Sequence, residues 1–473
     1  MRVYARLALL VAAVGVLIVV GDPDGGRSPQ RAAATRIHRE QVTAGAGAGP
    51  APSYMLARTI GNPEAAAGDQ FGGSVAAVGG NILVGALYDD PGGVTDAGSV
   101  YLFDGPSGAL LLTIPNPAPG VEDFFGHSVA GVGGNILVGA YRDDPNGVVD
   151  AGSVYLFDGT SGALLLTIPN PSQRLADLFG DSVAAVGGNI LVGAQGGSGS
   201  NYLGSAYLFD GTTGALLRTF TDPVPGGSGF GVSVAGVGPN VLVGAHLGAG
   251  GAYLFDGVTG APLLTMANPA PGVEDMFGVS VAGVGGDILV GAHCKDPGGI
   301  PNAGSAYLFD GMSGTLLLTI DNPFPDVGDN FGSAVAGVGG RILVGASHDD
   351  PGGIGNAGSV YLFDGASGAL LLTIPNPAPG VDDLFGCSVA GVGGNILVGA
   401  HLDDPGGVTD AGSAYLLCIG DACESPGPVG GMAELPDVAG SSGPPYAALA
   451  VELAAAVVAL AAGTWYARRR WPI

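Results

Sequence analysis

The chain is 473 residues long, with 90 glycines, 34 prolines, 41 acidic and 15 basic side chains, and a formal net charge of −26. So acidic a composition excludes the basic, phosphate-tracking surface that nucleic-acid binding requires. Glycine and proline at this level read as low complexity when taken alone, but the apolar residues recur in periodic runs that can bury a large shared core.

Residues 1–20 carry Arg2 and Arg6 and then an apolar run over 7–20. That length suits a signal peptide and is short for a membrane span. No small-x-small cleavage site follows directly, so a cleaved signal and an uncleaved signal anchor both stand. Residues 21–53 are polar, then rich in Ala and Gly, and are expected to be a flexible lead-in.

From Phe71 onward one unit repeats. Phe71-Gly72 returns at Phe125, Phe179, Phe230, Phe277, Phe331 and Phe385, at spacings of 54, 54, 51, 47, 54 and 54 residues. Self-similarity at this period decides the fold. Within the first unit, residues 74–78 and 81–86 are apolar runs joined by Gly79-Gly80, a pair suited to a tight hairpin. Residues 99–104 (Ser-Val-Tyr-Leu-Phe-Asp) and 109–114 (Ala-Leu-Leu-Leu-Thr-Ile) supply two more strands, joined across 104–108. Four short strands without helical periodicity define an all-β unit.

The second and third strands are continuously apolar, as strands are when both faces of their sheet are covered. Seven small sheets packed radially satisfy this, so residues 54–417 are expected to form a seven-bladed β-propeller. Its first strands, made of Gly, Ser, Ala and Val, belong nearest the axis, where space is tightest. The seventh unit ends at Leu417 without a fourth strand, and an orphan copy of that strand, residues 55–63, precedes the first unit. Pairing the orphan into the last blade closes the ring with both chain ends and predicts a monomeric propeller with no open edge.

Phe-Gly at the head of each unit, Leu-Val-Gly-Ala closing the second strand and Gly-Ser-Val-Tyr-Leu-Phe in the third resemble the FG-GAP repeats of integrin α-subunit propellers and bacterial surface proteins. The resemblance covers about residues 54–417 and implies a binding or adhesion module. Integrin-type repeats often hold calcium in an aspartate-rich loop between strands 1 and 2. Here that position reads only Val78-Gly79-Gly80-Asn81 or a variant, so those calcium sites do not transfer.

Turns alternate between the two ends of a four-stranded blade. The 1–2 and 3–4 turns share one face and are tight; the 2–3 and 4–1 connections share the other and are long. Long loops on a rigid scaffold are where function concentrates. That face carries Asp-Asp-Pro elements at Asp89-Asp90, Asp143-Asp144, Asp349-Asp350 and Asp403-Asp404, weakened to Lys295-Asp296 in the fifth unit and lacking in the third and fourth. These eight aspartates are the candidate ligand-binding residues, and Asp89, Asp90 and Asp96 form a candidate Ca2+ set. The competing reading makes Asp-Pro-Gly turn chemistry on a solubilising surface.

The residue after Leu-Val-Gly-Ala is histidine three times (His246, His293, His401), and the residue after Phe-Gly varies through His127, Asp181 and Cys387. Equivalent positions in a ring are spread around it, so the histidines read as loop-edge residues. No triad spacing, zinc motif, phosphate loop or nucleotide fingerprint appears. A triad assembled from separate blades stays open.

Cys418 and Cys423 suit a small disulfide loop in an exported protein, while Cys294 and Cys387 fall in non-adjacent blades. Residues 418–445 form a Cys-containing linker rich in Gly, Pro and Ser, and 446–467 are apolar enough for a transmembrane helix despite Glu452. The basic tail, 468–473 with Arg468, Arg469 and Arg470, belongs in the cytoplasm. The propeller is then outside the cell, a surface binding or adhesion module for an extracellular protein or glycan. The alternatives are a polysaccharide-acting enzyme at the channel mouth, with Asp181 or His127, and a structural envelope component.

Overall fold

The computed structural model describes residues 53–420, apart from 197–203, 225–227, 249 and 273. The expected signal segment, transmembrane helix, basic tail and most of the linker, Cys423 included, lie outside the described residues. Among the described residues no helix is long and apolar enough to cross a membrane.

Among the described residues the strands form seven four-stranded antiparallel sheets. In the first, Phe71–Val78, Asn81–Ala86, Ser99–Phe103 and Leu110–Pro115 pair in sequence order. The inner strand begins three residues earlier than its apolar run suggests, because Gly72 and Gly73 form a bulge between the Phe71–Ala86 and Ser74–Gly85 pairs. The orphan strand, Tyr54–Gly61, pairs with Ser413–Ile419 and completes the seventh sheet. That last strand runs on to Ile419, so Cys418 is a strand residue opposite Met55 rather than part of a linker. It is disulfide-bonded, whereas Cys294 and Cys387 are free thiols.

No blade has a core of its own. Along the second strand, Ile82, Val84 and Ala86 pack on Val392, Leu397, Ala414 and Leu416 of the last blade. Their neighbour Leu83, with Val100 and Leu102, packs on Phe125, Ile136 and Val138 of the next blade. Alternate side chains point to opposite faces of a strand, and both faces are junctions; hence the unbroken apolar runs. At each junction the Phe of Phe-Gly is buried against the third strand, as in Phe71 with Tyr101 and Phe103 at 5.8 and 6.0 Å. Burying a side chain of this size is worth roughly 1.5–3 kcal/mol.

The inner strands touch all round the axis. Their small residues permit this: a Cβ on Gly131 would overlap the Ala77 carbonyl oxygen of the preceding blade. Six of the seven blades also donate a serine hydroxyl to the next blade's Phe-Gly carbonyl, beginning with Ser74 to Gly126 O at 2.7 Å. Ser128, Ser182, Ser233 and Ser280 repeat the bond, and Ser388 closes the circle onto Gly72 O at 2.8 Å. In the sixth blade Ala334 stands at that position. One expectation changes. Every blade keeps a free outer edge, because strands stacked outward from an axis leave the fourth without a neighbour, and Leu110, Leu111, Leu164 and Leu165 are exposed there.

Replacing Ala334 with Ser should supply the missing inter-blade bond and stabilise the ring by about 1 kcal/mol, whereas Ser388→Ala should cost about 1–3 kcal/mol by stripping a partner at the closing junction. Urea unfolding of the two variants checks both signs.

Candidate functional site

The long loops face one way, as expected, and are tied across the junctions. Glu122, Phe124 and Phe125 of one 4–1 loop donate their N–H groups to Thr95, Asp96 and Ala97 in the neighbouring 2–3 loop at 3.0–3.1 Å. Gly98 ends that loop with φ +84°, and a side chain there would overlap the Phe125 backbone. The face is therefore a lattice of interlocked loops.

The Asp-Asp-Pro pairs divide their work. The first aspartate, buried in Asp89, Asp349 and Asp403 and half-buried in Asp143, accepts a hydrogen bond from the third-strand tyrosine: Tyr101 to Asp89, Tyr155 to Asp143, Tyr361 to Asp349 and Tyr415 to Asp403, all at 2.7–2.9 Å. Burial, with that carboxylate alongside, pushes these tyrosine hydroxyls well above their usual range. The second aspartate closes its own loop: Asp90, Asp144, Asp350 and Asp404 each accept the N–H six residues on, which for Asp90 is that of Asp96. The two carboxylates of each pair thus turn to different partners. Among the described residues no group of three or more His, Cys, Asp or Glu side chains is placed to hold a metal ion.

A second carboxylate per junction was not singled out from sequence. Asp123, 3 % exposed, accepts from Asn116 Nδ2 at 2.8 Å and from the Gly120 N–H. Asp69, Asp329 and Asp383 repeat the arrangement with Asn62, Asn322 and Asn376. Burial first, and the nearby Asp-Asp-Pro charges second, outweigh these bonds: Asp69 and Asp123 are pushed up to about 6 and Asp329 to about 7. The fifth blade differs. Lys295 occupies the first Asp-Asp-Pro position, and its Nζ lies 3.2 Å from Asp275 Oδ2 and donates to Ala270 O at 2.6 Å. There an internal ammonium sets a positive charge beside the buried carboxylate.

At the axial end of this face, the residues following Phe-Gly and Leu-Val-Gly-Ala meet across the junctions. A Cβ on Gly73 would sit 3.1 Å from Leu87 and 3.9 Å from the His401 Cβ of the last blade. His127 Nε2 faces Asp181 Oδ1 at 3.4 Å, so the two residues of the enzymatic alternative do come together. The histidines also interact more than a spread-out ring suggests. Burial, then the charges of His246 and His348, hold His293 down at about 4, and the Nδ1 atoms of His246, His293 and His401 are buried without a hydrogen-bond partner. Burial opposes ionisation of Cys387, yet its neighbour His401 outweighs that and holds the thiol below its usual value. Tyr88, Phe124 and Arg142 complete the mouth in the first two blades, where Arg142 lies 5.1 Å over the Phe124 ring. The signal for these three was the disagreement between repeats, not any motif within one.

The architecture is that of a β-propeller, and its repeat places it further. The FG-GAP repeat family matches residues 58–103, 120–157, 271–309, 325–363 and 379–417. Those segments fall in blades one, two, five, six and seven, and with the seven-sheet ring they make the chain an FG-GAP repeat β-propeller, a protein-binding type of module. No curated protein matches the chain.

Asp329 has a folded-state pKa raised from an unfolded value near 4, so its stabilising contribution is complete below about pH 4 and is lost as pH rises through about 7. Asp329→Asn, which mimics the protonated carboxyl, should therefore stabilise the protein by about 1–3 kcal/mol at pH 8 and by little at pH 4. Denaturant melts at the two pH values decide it. Tyr361→Phe leaves buried Asp349 without its tyrosine donor and should cost about 1–3 kcal/mol at pH 7.

Proposed function

We propose that this protein is a binding module exported to the cell surface, held there by its C-terminal apolar segment, whose long-loop face takes an extracellular protein partner. One observation carries the reading. At the same place in the 4–1 loops that leave blades one, two, five and six stand Val121, Leu175, Val327 and Val381, 66–71 % exposed, on loops fastened to the neighbouring blade. Apolar tips on a polar, pre-organised surface are what a protein interface uses as anchors, and a rigid surface loses little entropy on binding. The acidic surroundings favour a partner with a basic face and speed its encounter. The N-terminal apolar run, the apolar 446–467 segment and the arginines after it support export and anchoring.

Membrane-impermeant biotin on intact cells should label the protein if it is displayed. Full-length protein carrying Val121→Lys, Leu175→Lys, Val327→Lys and Val381→Lys should lose at least about tenfold in affinity for matrix proteins or cells that the wild type binds. Met312→Lys, on a tight turn of the other face and 93 % exposed, should leave binding intact. Equal loss from both variants, or none from the first, counts against this face.

A further inference from the structure

The seven units agree most closely in their strands and differ most at the axial end of the long-loop face. One sector there has no counterpart among the other described residues of the ring. Phe124 stands where other units carry Gln70, Leu178, Gly229, Met276, Asn330 or Leu384, and it gathers rings from two repeats. Tyr88 meets it nearly edge-on at 5.0 Å, and Tyr141 stacks on it at 5.7 Å with 23° between planes. His127 lies 4.3 Å from the Tyr141 ring and turns Nε2 toward Asp181 of the third blade. The Arg142 guanidinium lies 5.1 Å over Phe124 and 5.6 Å over Tyr141.

The base of this cluster is fixed. Phe124 is 5 % exposed and has φ +55°, a left-handed conformation uncommon for an aromatic residue, held by its N–H to Asp96 O at 3.1 Å. Tyr88, Tyr141, His127 and Arg142 are only half-buried above it. Packing alone accounts for the three clustered rings. It does not account for a guanidinium, an imidazole and a carboxylate gathered at their rim across the first three blades.

A pyranose ring matches both parts. Its C–H face lies on an aromatic surface, and its hydroxyls donate to a carboxylate and accept from a guanidinium or imidazole. A few polar groups placed around apolar walls is the usual composition of such sites. Charge narrows the ligand further. Glu122, 3.9 Å from Arg142, and the Asp143-Asp144 pair in the same loop as Tyr141 repel an acidic sugar, while a neutral one is indifferent to them. We infer that the mouth sector formed by Tyr88, Phe124, Tyr141, His127, Arg142 and Asp181 is a binding subsite for a neutral sugar residue of a glycan. It goes beyond the protein-binding reading and uses none of the loop-tip side chains.

The test is titration calorimetry of the full-length chain in detergent with neutral cello-, xylo-, manno-, malto- and chito-oligosaccharides, and with oligogalacturonate as the anionic comparison. At least one neutral series should bind. Tyr88→Ala and Tyr141→Ala should each weaken it about tenfold, and Asp181→Asn, which keeps the side-chain shape, should weaken it while the melting temperature stays at the wild-type value. His293→Ala, in the opposite sector, and the four-lysine loop-tip variant should bind sugar as the wild type does. The inference is overturned if no neutral series binds at millimolar concentration, if binding survives the Tyr88→Ala/Tyr141→Ala double variant with its fold intact, or if oligogalacturonate binds best. Retention of sugar binding by the loop-tip variant separates this outcome from that of the protein-binding reading.

Discussion

Everything in this molecule depends on the junction between blades. A four-stranded sheet of about fifty residues with apolar side chains on both faces has no stable existence in water, because each face must be covered by another sheet. The chain resolves this by repetition. Ile82 and Leu83, neighbours in sequence, serve opposite junctions, so every blade is half of two cores. The arrangement is stable only when it closes, and closure is made by pairing Tyr54–Gly61 with Ser413–Ile419. Near the axis the limit is set by space rather than by hydrophobicity. Small inner-strand residues let backbones of adjacent blades approach, and the serine hydroxyls exploit that approach to satisfy the Phe-Gly carbonyls.

The same closeness shapes the long-loop face. Loops from adjacent blades are joined backbone to backbone, which brings buried carboxylates together at each junction. Burial and the Asp-Asp-Pro charges beside them raise Asp69, Asp123, Asp329 and Asp383 above the usual carboxylate range, and in the fifth blade a lysine stands beside the buried carboxylate instead. The surface is thus rigid without being electrostatically relaxed. Its acid residues serve mostly to brace loops, and what they present to a partner is a field, with apolar tips set in it as contact points.

Much of this was legible in one dimension. The period, the four strands, the closing strand and the sidedness of the loops follow from residue spacing, because hairpin turns and strand alternation are local rules. The roles of the aspartates were less so. Asp-Asp-Pro was readable as turn chemistry, but that the first carboxylate turns inward to a tyrosine twelve residues later, as Asp89 does to Tyr101, depends on strand register. The Asn116–Asp123 pair sat in plain view and carried no motif that would mark it.

By itself, then, the sequence determined the repeat, the blade and the ring, since these rest on periodic apolar burial and on turn residues that act within a few positions. Tertiary structure alone decided what meets at the mouth. His127 and Asp181 lie 54 residues apart and in different blades, and Tyr88, Phe124 and Tyr141 come from two units that each look unremarkable when read singly. Ring closure converts positions that are periodic along the chain into neighbours around an axis. The chemistry of that axis exists only once the seventh blade has reached the first.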